Sequence, residues 1–396
     1  MTEAIFPPLL PPADWTARED LVALMAALGG ENARYVGGAV RDTLLGIPVK
    51  DVDVATVLRP EQVIERLAAA GLRTVPTGIE HGTVTAILPY GPVEITTLRH
   101  DVSTDGRRAT VAFAEDWRED AARRDFTINA LYAQPGTGAI SDYFGGLDDL
   151  AARRVRFIGD ARQRIREDHL RILRYFRFQA RFGSQPADPE AEESCSELAA
   201  TLKGLSRERI GMEMINLLGL ADPAPTVARM AELGVLAVVL PEADPAALAR
   251  LVTTEQAQGI EPDAVRRLAA LLPADPALAE QVASRFRLSG AQKKRLAVAA
   301  ARDGAAGDAR PLAYRLGREG ALDRLLIEGA DIAPLRDWDL PVLPLKGGDI
   351  VARGIGAGPE VARVLRAVET RWIAEGFPDA ERVQALLGEV LSGQAG

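Results

Sequence analysis

The sequence predicts an α+β protein: a small mixed β-sheet with flanking helices in its N-terminal part, followed by an all-helical remainder. Two observations carry this. Strand-like runs occur before residue 100, among them LRTVPTG, GTVTAILPY and PVEITTLR. Beyond residue 150 strand signals largely vanish, and Ala/Leu-rich segments at helical spacing, broken by Pro and Gly, run to the end. A chain of 396 residues exceeds one typical core, so two or more domains are expected.

Taken in order, residues 1–14 are Pro-rich and read as an extended lead-in. Thr16 to Leu28 reads as an amphipathic helix, and Arg34 to Val36 as a short strand. Gly37 and Gly38 break that strand, and a helix from Ala39 to Leu45 stops at Gly46 and Pro48. A second strand carries Asp51, Val52, Asp53 and Val54, and Pro60 to Ala70 is a helix with Pro in its first turn. The segments between Leu72 and Leu98 supply further strands, with a turn at Tyr90-Gly91-Pro92. Residues 99–110 read as a plain hairpin loop or as a mobile loop reaching a triphosphate. Ala114 to Arg124 is a charged helix, RRDFTINALY (123–132) a capped helix start, and residues 142–146 a turn closing the first domain near residue 150. Ala161 to Phe182 reads as one long helix. Helices follow at 224–233, 245–258, 262–272, 276–286, 290–303, 309–328, 359–374 and 379–392. Lys346-Gly347-Gly348-Asp349 lacks phosphate-loop spacing and reads as a helix cap.

The chemistry gathers at residues 36–56. A strand repeats every two residues, so Asp51 and Asp53 share a face. Neighbouring carboxylates repel unless a cation sits between them, and Mg²⁺ suits an all-oxygen site. Gly37 and Gly38 expose backbone N–H groups at a helix start, where an anion binds well, and Arg41 lies one turn further on. Glu94 alternates with Val93 and Ile95 on a strand expected to neighbour the Asp pair; a solvent-facing glutamate is the plainer reading. Arg124 and Asp125 read either as a cap or as contacts to a nucleotide and its ribose. Asp168, Arg171, Arg174 and Arg177 recur every three residues on the expected helix. Such a row winds around the axis, so Asp168 and Arg171 are the close pair and the four cannot all meet one ligand group.

The net charge of −9 argues against a polyanionic partner, but between Ala151 and Phe182 ten arginines face three acids, a local +7. The single cysteine, Cys195, excludes an intrachain disulfide. The first 25 residues show no secretory pattern and no apolar run approaches membrane-spanning length, so no membrane partner and a cytoplasmic location are expected.

The set GGAVRDTLLG with DVD, HGTVTAIL, VEITTLR, RRDFTINAL, EDHLRILRYFRF and LSRERI, in that order, resembles the class II tRNA nucleotidyltransferase and bacterial poly(A) polymerase family. GGDIVARGIGAGPEVARVL is similar to that family's tail. The resemblance implies a DNA polymerase β-like nucleotidyltransferase head over 1–150, a helical neck over 151–220 for base recognition, and a body and tail over 221–396 for tRNA binding. By position it makes Asp51 and Asp53 the metal pair and Glu94 the third carboxylate. It makes Gly37, Gly38 and Arg41 triphosphate contacts, and Arg124 and Asp125 nucleotide contacts. Asp168 and Arg171 become the pair that reads the incoming base, with Arg174 and Arg177 further arginines of the nucleotide site. The implied reaction is addition of CCA to the tRNA 3′ end from CTP and ATP with Mg²⁺, or Mn²⁺ in its place, by a monomer or homodimer. A poly(A) polymerase or A-adding enzyme, and a non-catalytic RNA-binding protein on the same fold, are the alternatives. The compact acidic C-terminal end favours CCA addition.

Overall fold

The computed structural model describes residues 8–105, 108–302 and 308–393. The chain divides into two compact units, Met1–Pro241 and Glu242–Gly396. No helix among the described residues is long and apolar enough to cross a membrane.

Among the described residues, the strands all lie in the first unit. β1 (Ala33–Val36), β2 (Asp53–Thr56), β3 (Arg73–Gly78), β4 (Thr83–Leu88), β5 (Gly91–Thr97), β8 (Leu131–Ala133) and β9 (Ile140–Asp142) form one mixed sheet in the order β3-β4-β5-β2-β1-β8-β9. The pair β2–β5 is parallel and the others are antiparallel. β6 (Arg99–Asp105) and β7 (Arg108–Phe113) make a separate hairpin. The expected loop at 99–110 is therefore mostly ladder; the Asp105-Gly106 turn expected at its tip falls on Gly106 and Arg107, outside the described residues. α1 (Glu19–Leu28) and α3 (Pro60–Ala69) pack on each other, and α2 (Gly38–Leu44) leads out of β1.

Three expectations are corrected here. β2 begins at Asp53 rather than Asp51, although the alternation holds one turn earlier: Val52 and Val54 are buried while Asp51 and Asp53 are exposed. RRDFTINALY does not start an α-helix. After α4 (Trp117–Ala122) it makes a single 3-10 turn at Thr127–Asn129 and then β8. Phe126 and Leu131 are fully buried, so the core assignment stands while the element differs.

The third correction is the long helix. It is two helices, α6 (Ala161–Glu167) and α7 (Arg171–Phe182), following α5 (Gly146–Ala151). Asp168 sits at the break with extended backbone (φ −149°, ψ 106°). α7 is fixed to the sheet-bearing part through aromatic packing: Phe126 lies 5.0 Å from both Phe157 and Phe178, and Tyr175 stacks on Phe157 at 5.8 Å. α8 (Pro189–Glu197), α9 (Arg207–Leu218), α10 (Ala224–Glu232) and α11 (Val235–Val239) complete the unit.

The described residues of the second unit form helices and the links between them: α12 (Pro245–Gln258), α13 (Ala264–Leu271), α14 (Pro276–Arg285), α15 (Gly290–Ala300), α16 (Ala309–Ile327), α17 (Gly347–Val351), α18 (Pro359–Ala374) and α19 (Ala380–Ser392). Its boundaries follow local chemistry. Asp244, Asp263, Asp275, Ser289 and Asp379 cap helix N-termini through their side chains, and Pro245, Pro276 and Pro359 occupy first turns. The Gly-rich Lys346–Asp349 segment is a cap as expected: the Lys346 N–H donates to Asp349 Oδ2 at 2.8 Å.

Candidate active site

The sheet register assembles the acidic cluster. Asp53 pairs with Val36 on one side and with Glu94 on the parallel strand on the other. Residues directly opposite in a sheet point to the same face. Asp53 and Glu94 are therefore side by side on one face, at the end of β1 where Gly37 and Gly38 leave the sheet. Asp51 lies two residues before Asp53 on the same side. Asp53 reaches solvent but is crowded. Desolvation, then the charge of Glu94, raise its pKa; the guanidinium of Arg124 opposes the rise and Asp51 adds to it. That balance brings three carboxylates and one arginine of the sequence-derived set into electrostatic contact.

Among the described residues no three His, Cys, Asp or Glu side chains are gathered as a ready ligand cage. Like charges hold one another off, so adjacent placement on paired strands is what this sequence builds by itself. The donors nonetheless fit a hard divalent ion: all are carboxylate oxygens, and burial together with the Glu94 charge raises the Asp53 pKa despite Arg124.

The glycine turn is specific. Gly37 has φ +69°, its N–H donates to the Leu131 carbonyl at 3.0 Å, and Arg124 Nη1 is 3.5 Å from where a Cβ would stand. A side chain at 37 would be strained by the positive φ, and its Cβ would come into ordinary contact with Arg124. Arg41 lies under this turn, 5% exposed, and does not extend into solvent. It ion-pairs Asp42 at 2.6 Å, donates to Asn129, and lies 4.1 Å over the Phe182 ring. Burial lowers its pKa, with Asp42 opposing.

Arg124 is held against the sheet by Asp120 at 3.2 Å and by the Tyr132 hydroxyl, which accepts from its Nε at 3.1 Å. Asp125 accepts from Asn129 at 3.0 Å through Oδ1, and from Arg174 at 2.8 and 2.6 Å through Oδ2. A polar chain thus runs from Arg41 through Asn129 and Asp125 to Arg174. It continues to Glu213, which lies 3.8 Å from Arg174 and accepts from Arg177 Nε at 2.6 Å.

Asp168 and Arg171, the close pair if the helix were continuous, turn to different partners. The break turns Asp168 toward α9, where it pairs with Arg209 at 2.6 Å. Arg171 instead pairs with Glu167 at 2.6 Å and donates to the carbonyls of Arg164 and Arg123. Arg171, Arg174 and Arg177 still wind around α7 as the helical step requires, and they meet Glu167, Asp125 and Glu213 respectively. All remain one electrostatic group: Arg171 acts on Asp125, and Asp168 on Arg174. Glu213 and Arg209 were not singled out by sequence reasoning as site residues. Their signal was the i, i+4 spacing on α9, directly after LSRERI begins.

Two buried aspartates predict an acid response. Burial alone would raise Asp120 and Asp125. Arg124 and Arg123 outweigh it at Asp120, and Arg174 at Asp125, holding both at about 2. Each therefore contributes stability fully present above the unfolded value near 3.8 and lost as pH falls to about 2. The scale is about 2 kcal/mol per group. Acid unfolding followed by circular dichroism between pH 5 and 2 should show a shallower pH slope in Asp125→Asn; an unchanged slope would remove Asp125 from this account.

Residues 33–156 match the family described as "Poly A polymerase head domain", and residues 187–247 that described as "Probable RNA and SrmB- binding site of polymerase A". The chain is 34% identical to the mitochondrial CCA tRNA nucleotidyltransferase 1 of Mus musculus over 385 residues, covering 91% of this chain and 87% of that protein. It is 45% identical to the CCA-adding enzyme of Leuconostoc citreum over 192 residues, 48% of this chain and 46% of that one. Among solved structures it is similar to the Bacillus stearothermophilus CCA-adding enzyme in complex with CTP. There the TM-score is 0.75 at 29% identity, covering 95% of this chain and 98% of the other.

Proposed function

The chain belongs to the CCA tRNA nucleotidyltransferase family, and from that premise we propose that it builds or repairs the 3′-terminal CCA of tRNA from CTP and ATP, releasing pyrophosphate. The observation that carries this reading is the placement of Asp53 against Glu94 on parallel strands, beside the Gly37-Gly38 turn and under the charge of Arg124.

Asp51, Asp53 and Glu94 would hold Mg²⁺. When bound, the ion lowers the pKa of the attacking RNA 3′-hydroxyl and stabilises charge on the leaving pyrophosphate. The protein's own groups do the rest. The Gly38 N–H at the start of α2 would donate to the triphosphate end of the nucleotide, while the Gly37 N–H, bonded to the Leu131 carbonyl, fixes the turn that presents it. Arg124 places positive charge beside it, and the Asp120–Tyr132 brace keeps that guanidinium from collapsing onto Asp53. Arg41, committed to Asp42 and Asn129, fixes the floor beneath the turn.

Base choice falls to Asp168 and Arg171, and their partners leave room for it. An aspartate has about four lone-pair sites. Arg209 and the Leu170 N–H use one on each oxygen of Asp168. The remainder accept the exocyclic amine of cytosine or adenine. Arg171 has about five N–H donors. Glu167 and the carbonyls of Arg164 and Arg123 occupy Nη1 and part of Nη2. Nε–H remains for a ring acceptor. Uracil and guanine present a carbonyl where the amine belongs, and an unsatisfied buried group costs about 1–3 kcal/mol.

The test is incorporation of labelled CTP and ATP into tRNA transcripts ending before CCA, after C and after CC. Two Cs and one A, then a stop, is the expected outcome. A alone on the CC transcript would make this an A-adding enzyme, and long A tracts a poly(A) polymerase. In the same assay Asp168→Ala should admit UTP or GTP; equal slowing of CTP and ATP with UTP and GTP still refused would contradict the base-reading role.

A further inference from the structure

Asn129 joins two parts of the candidate site. It closes the 3-10 turn Thr127–Asn129 and is 8% exposed. Its backbone carbonyl lies 3.5 Å from where a Cβ at Gly37 would stand. Its side chain accepts from Arg41 Nη1 through Oδ1 and donates to Asp125 Oδ1 through Nδ2 at 3.0 Å. Among the described residues it alone hydrogen-bonds both Arg41 and Asp125.

The two neighbours dictate what stands between them. A guanidinium only donates and a carboxylate only accepts. The linking side chain must show an acceptor to one and a donor to the other, which an amide does and a carboxylate or a leucine does not. The turn supplies the reach: the Asn129 N–H donates to the Phe126 carbonyl at 3.0 Å, folding the chain back on Asp125. Asp125 is in turn fully engaged. Its Oδ1 accepts from the Phe126 N–H at 2.9 Å as well as from Asn129, and its Oδ2 accepts twice from Arg174. These bonds fill the about four lone-pair sites of a carboxylate. Burial would raise the Asp125 carboxyl; the charge of Arg174, and then the Asn129 N–H, hold it ionised. Arg174 is the outer end of the chain, with its side chain 32% exposed.

We propose that Asn129 is a positioning residue of the nucleotide site: its amide ties the floor of the glycine turn to Asp125, and Asp125, with its acceptors committed, aims the Arg174 guanidinium at the incoming nucleotide. An arginine on a helix surface has several staggered side-chain conformations open to it. Two parallel bonds to one carboxylate oxygen select among them, but only as firmly as that carboxylate is itself held. The Asn129 N–H and the Phe126 N–H hold it from the other side. One amide thereby sets Arg174 relative to the turn that presents the Gly38 N–H. The inference rests on the nucleotidyl-transfer reading above and adds a residue that acts through Arg174 without touching substrate.

The test is steady-state incorporation of CTP into a transcript ending before CCA, with Asn129→Asp and Asn129→Ala each placed in the parent and in Arg174→Gln. Asn129→Asp keeps the shape and the acceptor for Arg41 but sets a second carboxylate oxygen against Asp125. In the parent background KM for CTP should rise about 10- to 100-fold, the scale of one hydrogen bond to a charged group. kcat and the KM for the transcript should change little. A residue needed only for folding would lower the active fraction, and so kcat, and leave KM where it was. In Arg174→Gln, where KM is already raised, Asn129→Asp should add less than about threefold, because residues that act as a unit are not additive. A parent-like KM in Asn129→Asp would overturn the role, and so would a loss confined to kcat or the full rise repeated in Arg174→Gln. Asn129→Asp decides alone if Asn129→Ala does not fold. A parent protein that incorporates no nucleotide overturns the functional reading and this role with it.

Discussion

Asp53→Asn is expected to reduce nucleotide incorporation by roughly 10³-fold or more, the upper scale for removing one electrostatic stabiliser of a transition state, in a protein as stable as its parent or more so. The two halves of that expectation have one cause. Burial raises the pKa of Asp53, and the charges of Glu94 on the neighbouring strand and of Asp51 add to the rise. Folding therefore brings like charges together, and a neutral amide of the same shape relieves that repulsion. A residue kept for packing would behave the other way, losing stability before activity. The measurement pairs incorporation with thermal unfolding in the absence and presence of Mg²⁺. Parent Tm should climb with Mg²⁺ concentration, because an ion that binds only the folded state stabilises it by mass action. Asp53→Asn should show little or no climb. Full activity in the variant, or an identical Mg²⁺ response, would end the carboxylate role.

The same residues show what the sequence could and could not disclose. The alternation Asp51-Val52-Asp53-Val54 was readable because a sheet buries one face, and Val52 and Val54 are indeed inside. Most helices of the second unit were readable because they are punctuated locally, by an aspartate or serine cap, a leading proline or a closing glycine. The break at Asp168 was not. Ile165 on α6 and Leu170, Leu173 and Phe176 across and beyond the break are all buried, so the apolar spacing continues through a non-helical link. Periodicity reports which residues face a core; it does not report whether the backbone hydrogen bonds between them are made. The ion-pair partners were hidden for a related reason. Arg209 lies 41 residues from Asp168 and Glu213 lies 36 from Arg177, so only the packing of α9 on α7 pairs them. Arg41 read as a ligand contact because its position after Gly-Gly is suggestive. Its burial follows from Phe182, Asp42 and Asn129, one of them 141 residues away.

Glu255→Ala should be the most destabilising single change in the second unit, by about 3–5 kcal/mol, the scale for stripping one partner from a buried ion pair. Glu255 on α12 is 1% exposed and divides its two oxygens between two neighbours: Oε1 accepts from Arg266 at 2.7 Å and Oε2 from Arg267 at 2.8 Å. Both guanidiniums are themselves buried on α13. The methyl group of alanine would remove the carboxylate that both buried cations share. Asp323, 3.6 Å from Arg266, cannot compensate, because Arg295 already holds both its oxygens at 2.7 and 2.9 Å. Glu255→Gln keeps the shape and one acceptor, so it should lose less than alanine but remain well below the parent. The contrast is Glu360→Ala, which removes an exposed pair with Arg363 one turn away on α18 and should leave the denaturation midpoint unchanged. Urea denaturation of the three variants separates the cases. If Glu255→Ala shifts the midpoint no more than Glu360→Ala does, the two arginines reach solvent in the native protein and the buried network is not what joins α12 to α13.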